Sequence, residues 1–187
     1  MTEEERLTRR IIHSIVWIVL VYYLIPDPLF GYPRSFFLVL VLAIVLVFEG
    51  FRLYFGFSVY GMREYEKRQF ASYAWASLAA AITLLFFPMH LAFVCLLGMG
   101  LIDPLIGEIQ HHKPELYPYV PFLAWLFLAL FLLSLLGDFS LPMIITLSII
   151  GATSAILAEY PTLRIDDDFL MIIVPLFVLR GIELILA

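Results

Sequence analysis

The chain has 187 residues, 63% of them hydrophobic and only 14% charged, with a net charge of −5 and a mean hydropathy of +1.00. Apolar runs broken only by short loops exclude an ordinary water-soluble domain and read as a polytopic, all-α membrane protein. There is no basic tract of the kind nucleic-acid binding requires, and the short loops leave room for one domain over residues 1–187.

A span needs about 20 residues to cross about 30 Å of hydrocarbon. That length gives seven candidate transmembrane helices, at 11–25, 35–55, 70–87, 89–107, 119–136, 141–158 and 169–187. The first begins in the headgroup region near Leu7, and Pro26 and Pro28 end it. No small-residue cleavage site follows Tyr22, Tyr23 and Leu24, so this run reads as a retained span, not a signal peptide. Arg9, Arg10 and His13 open it. Basic residues there are ordinarily a topology signal, but His13 at the membrane edge can join the two guanidinium groups in an anion site.

The second span ends with Glu49 and Arg52, which lie three residues apart and so share a helix face where they can pair. The pair either ties the helix into the bundle or lets Arg52 hold a phosphate while Glu49 orients it. In the loop from Phe57 to Gln69, Tyr60 and Tyr65 mix with Arg63, Glu64, Glu66, Lys67 and Arg68. This composition fits a short interfacial helix, with a substrate lid as the sharper alternative.

The fourth span closes on Asp103-Pro104, where the proline removes a backbone donor and disfavours helix at the residue before it, so a bent or broken helix is expected. Such backbone is tolerated in a membrane only when buried in protein or lining a wet cavity. Gly98, Gly100 and Gly107 let another backbone or a phosphate approach, which makes Asp103 the first candidate for a functional residue, with a helix cap as the alternative. Cys95, the only cysteine, lies inside this span and can form no intrachain disulfide. Gln110, His111, His112 and Lys113 follow. Adjacent histidines on a loop are badly placed to share one ion, so zinc is not expected; Lys113 suits a phosphate.

In the sixth span Gly151, Ala155 and Glu159 recur every four residues, a small-residue face that leads to a carboxylate. Asp166, Asp167 and Asp168 then open the seventh. An acidic first turn suits the helix dipole, yet three adjacent carboxylates repel, and a divalent cation would relieve that. Mg²⁺ typically takes one or two carboxylates plus nucleotide phosphates. His90, Arg180 and Glu183 lie toward the opposite face, where Arg180 and Glu183, a helical turn apart, should pair structurally. With the N-terminus inside, nine Lys and Arg (Arg6, Arg9, Arg10, Arg52, Arg63, Lys67, Arg68, Lys113, Arg164) face the cytoplasm, against Arg34 and Arg180 outside. The larger clusters of ionisable residues thus share one predicted side.

In order, Arg9-Arg10-Ile11-Ile12-His13, Phe48-Glu49-Gly50-Phe51-Arg52-Leu53, Phe87-Pro88, Ile102-Asp103-Pro104 with Gly107, and Ala158-Glu159 followed by Asp166-Asp167-Asp168 resemble the CTP-dependent lipid kinases, the family that includes dolichol kinase, phytol kinase and the yeast-type diacylglycerol kinase. The chain is more distantly similar to phosphatidate cytidylyltransferase. Two departures stand out: the family's Gly-rich loop after Asp-Pro is reduced to Gly107 and the His111-His112-Lys113 stretch, and its Asp-Asp-Asn reads Asp166-Asp167-Asp168. The resemblance implies a kinase in the cell membrane or endoplasmic reticulum, its active site facing the cytoplasm. It would transfer the terminal phosphoryl group of CTP, or another nucleotide, to a lipid alcohol, a dolichol-type polyprenol first, with Mg²⁺. Asp103, Asp166 and Asp167 would then serve metal or base roles. Arg9, Arg10, Arg52, Lys113 and Gly107 would hold phosphates, and Glu49, His13 and Glu159 would orient groups. Nucleotidyl transfer with release of pyrophosphate is the nearer alternative, and a transport or non-catalytic membrane protein the farther one. Oligomeric state is left open.

Overall fold

The computed structural model describes residues 16–59, 62, 66–159 and 165–186. Within them the chain is helical, with no strand. A 3-10 helix at Val16–Leu24 precedes six α-helices: α1 Arg34–Phe55, α2 Ser72–Phe86, α3 Met89–His112, α4 Tyr119–Leu136, α5 Leu141–Glu159 and α6 Asp167–Leu186. All but α2 are long and apolar enough to cross a membrane, which makes this the architecture of a helical membrane protein. The α2 helix is apolar but has 15 residues, a rise of about 22 Å.

Local signals explain most of the boundaries. Pro33, Pro88 and Pro118 stand immediately before α1, α3 and α4, where a missing N–H costs nothing. Pro88 also holds Phe87 in extended backbone, φ −120° and ψ 153°, and so stops α2. Gly56 ends α1 at φ 68°, a left-handed conformation that glycine adopts without strain, and its amide donates to the Arg52 carbonyl. The described part of the first apolar run is a 3-10 helix and not the expected α-helix; its Val and Ile residues and paired Tyr22 and Tyr23 lose side-chain freedom in an α-helix.

Of the bent or broken helix expected at Asp103-Pro104, the break does not occur: α3 is continuous from Met89 through Pro104 to His112. Proline's fixed φ is itself helical, and burial of Ile102, Ile106 and Ile109 along the same stretch holds the backbone in place despite the lost donor. In consequence Gln110, His111 and His112 lie on the helix, not on a loop, and His112 Nε2 sits 2.8 Å from Glu108 Oε1 one turn back.

Helices α3, α4, α5 and α6 pack in a closed ring, α2 lies against α6, and α1 packs on α2 at the outside. Along α1 only Glu49 and Arg52 are buried, while Val39, Ile44 and Phe51 face outward. Trp125 of α4, fully buried, fills the centre of the ring. A Cβ on Gly98 of α3 would stand 2.5 Å from its indole Nε1, and one on Gly151 of α5 would stand 2.5 Å from the far edge of the ring. The small-residue face of α5 therefore admits an aromatic ring as well as a neighbouring helix.

Candidate functional site

One end of the bundle gathers the end of α1, the starts of α2 and α6, the second half of α3 and the end of α5, and its polar side chains form a connected network. It begins at Glu49 and Arg52, whose side chains are fully buried. Arg52 grips Glu49 with two parallel bonds, Nε to Oε2 at 2.7 Å and Nη2 to Oε1 at 2.6 Å, and Nη2 also donates to the Gln69 carbonyl at 2.6 Å. Glu49 accepts in addition from the Ala71 amide at 2.7 Å and from the Tyr73 hydroxyl. A bidentate pair with its remaining capacity filled by backbone is how a buried ion pair offsets its desolvation. Of the two roles open to the pair, these bonds serve the structural one: the guanidinium fastens the 66–71 segment to α1.

The network continues through Ser72 at the start of α2. Its hydroxyl lies 2.5 Å from Glu66 Oε1 and 2.6 Å from Asp166 Oδ2, linking the segment before α2 to the start of α6. Asp166 is the N-cap of α6. Its carbonyl accepts from the Leu170 amide and its Oδ1 accepts from the Asp168 amide at 3.2 Å, satisfying donors that a helix start leaves open.

With Asp166 turned to capping, the next two residues carry the charge. Asp103, Asp167 and Asp168 each offer a carboxylate oxygen, and the three oxygens lie within 4.8 Å of one another; Asp168 is buried and the other two are half-buried. Asp166, expected as a ligand, is not among them, and Asp168 takes its place. The preference for Asp at an N-cap was the signal available for this assignment, since the first of three aspartates before an apolar run is the natural cap.

Glu159, the last residue of α5, stands at the same end of the bundle. It lies close enough to Asp103 and Asp167 to feel their charge. Its Oε1 accepts from Gln110 Nε2 at 3.0 Å and its Oε2 accepts from the Tyr117 hydroxyl. Gln110 and Tyr117, like Ser72 and Glu66, are partners the sequence did not mark out. Gly107 is exposed, one turn beyond Asp103, with no atom within 4 Å of where a Cβ would stand, so space opens along this part of α3. Lys113 is exposed at the end of α3. Arg9, Arg10 and His13 lie outside the described residues.

At the other end of the bundle Arg180 donates to Glu183 at 2.7 Å, and His90 Nε2 stands 3.2 Å from the other Glu183 oxygen. Asp27 pairs with Arg34 there, 3.6 Å apart.

What the fold and site define together is a helical membrane protein with a carboxylate cluster at one end of its bundle. No family model, no curated protein and no solved structure matches the chain.

Proposed function

We propose that this protein is a membrane-embedded phosphotransferase that moves the terminal phosphoryl group of a nucleoside triphosphate, CTP first, onto the hydroxyl of a lipid alcohol, a dolichol-type polyprenol first. The observation that carries this reading is the convergence of Asp103 from α3 with Asp167 and Asp168 from α6 at a single end of a bundle of apolar helices. Ionisable residues are costly near a bilayer and persist where they have a task. The Lys and Arg bias supports a cytoplasmic setting for this end, where nucleotides are, and the first apolar run with α2 would bring the spans to seven.

Three oxygens around one point about 2.0–2.6 Å away span at most about 4–5 Å. The Asp103, Asp167 and Asp168 oxygens lie within 4.8 Å of one another; Mg²⁺, at about 2.0–2.1 Å from each, needs them drawn to within about 4.2 Å, and hard carboxylate oxygens are the donors it takes. Bound there, Mg²⁺ would supply neutralisation of phosphate charge. In the reaction the alcohol oxygen bonds to the terminal phosphorus, the bond from that phosphorus to its bridging oxygen breaks, and the nucleoside diphosphate departs. Glu159, aimed by Tyr117 and Gln110, is the carboxylate we assign to receive the hydroxyl proton. Lys113 and the Arg9-Arg10 pair are the cations we assign to phosphate oxygens, with Arg52 holding the segment before α2.

The test is purified protein in detergent with Mg²⁺ and γ-labelled CTP or ATP, offered polyprenol, phytol and diacylglycerol separately. Label in one lipid is the expected result and identifies donor and acceptor together. Release of pyrophosphate would mean nucleotidyl transfer instead, and no label in any lipid from folded protein would remove the enzymatic reading.

A further inference from the structure

An apolar groove adjoins the acidic cluster. It has a volume of about 310 Å³ and runs between the start of α4 and the last turns of α5, lined by Pro118, Tyr119, Phe122, Thr153, Ile156 and Leu157. The one hydroxyl on the α5 wall, that of Thr153, donates back to the Ile149 carbonyl at 2.8 Å and leaves the wall apolar. Both flanking helices are long and apolar enough to span a membrane. Tyr119 and Leu157, 70% and 60% exposed, stand on the outer side.

Polarity reverses at one end of this groove. Ile156 lies one helical turn before Glu159, on the same side of α5, and Pro118 directly follows Tyr117, whose hydroxyl donates to Glu159. From Thr153 to Glu159 the helix rises about 9 Å. The apolar walls therefore give way, within about one turn of helix, to a carboxylate.

We infer that this groove seats the hydrocarbon chain of the acceptor lipid, with the lipid's hydroxyl at Glu159; the inference rests on the phosphotransferase reading. A nucleotide finds no charged partner on these walls, only the Tyr119 and Thr153 hydroxyls. A neutral hydroxyl brought to the Glu159 end can donate to its carboxylate, which a phosphodiester, having no proton to give, cannot. The volume lies at the bottom of the usual range for small-molecule sites, about 300–1,000 Å³, and so suits the head-proximal part of a single chain.

The experiment uses the full chain in phosphatidylcholine nanodiscs and a long-chain isoprenoid alcohol with a diazirine on the carbons next to its hydroxyl. After photolysis the labelled peptides are mapped. Label is expected within 117–122 and 153–157, and excess unlabelled alcohol should displace it. Leu157→Trp and Thr153→Trp fill the groove from outward-facing positions. Each should cut labelling, and raise the KM for the alcohol, by about ten-fold, the equivalent of roughly two buried methylenes. Label that the alcohol does not displace would mean bulk lipid, and cross-links to a second copy through these residues would mean self-association; either overturns the inference. So does label on other helices, and if phosphoryl transfer persists in that case the phosphotransferase reading stands without the groove. Displaceable label at the groove with no transfer from any donor keeps the groove and removes the phosphotransferase. The wild-type map decides the matter should either variant fail to fold.

Discussion

A carboxylate oxygen of Asp103, in the second half of α3, lies within 4.8 Å of one on Asp168, in the first turn of α6. Two helices that pack in the central ring thus meet at one end through like charges. Such an arrangement costs stability unless a cation or a proton offsets it.

Mg²⁺ should therefore raise the melting temperature of the wild-type protein. At about 100-fold over its dissociation constant the gain would be about 2.7 kcal/mol. Asp103→Asn should abolish this response and turnover while melting no lower than wild type in chelator. Tryptophan-fluorescence melts with Mg²⁺ and with EDTA measure both, and a wild-type melt indifferent to Mg²⁺ would remove the metal from the site.

Asp166 should behave differently, because it caps α6 and bonds Ser72 instead of facing Asp103. Asp166→Ala loses the cap and should cost about 0.5–2 kcal/mol. Asp166→Asn keeps a capping oxygen, and should keep both stability and the Mg²⁺ response. Comparing the two variants in the same melts separates capping from metal binding. Loss of the Mg²⁺ response in the Asn variant would return Asp166 to the metal site.

Arg52→Met would leave Glu49 buried without its charge partner, at a cost of about 3–5 kcal/mol. The double variant Glu49→Met with Arg52→Met removes both charges and should recover most of that loss. Denaturant melts of the two single variants and the double variant form a mutant cycle. If Arg52→Met were as stable as wild type, the pair would have no role in fastening the segment before α2.

Gly98→Ala and Gly151→Ala each drive a methyl into the Trp125 indole, which is held from both sides and cannot move away. Each should cost about 1–3 kcal/mol. Trp125→Leu in the same chain should restore part of the loss, although alone it opens a cavity. Additive losses in the double variants would show that the contact is not the cause.

Hydropathy and proline placement alone determined that the chain is a helical membrane protein and where most of its helices begin. The expected bounds of the second, fifth and sixth spans fall within one residue of α1, α4 and α5, since burial in lipid and the lack of a proline donor act locally along the chain. The charged patches were legible for the same reason, as were the Glu49 pair with Arg52 and the Arg180 pair with Glu183, each one helical turn apart. Tertiary structure alone decided that Asp103 meets the aspartates of α6, that Arg52 bonds the Gln69 carbonyl as well as Glu49, and that Gln110 and Tyr117 converge on Glu159. Those contacts join helices distant in the chain, and they depend on the rotation of each helix about its axis, which packing around Trp125 sets and no local propensity encodes.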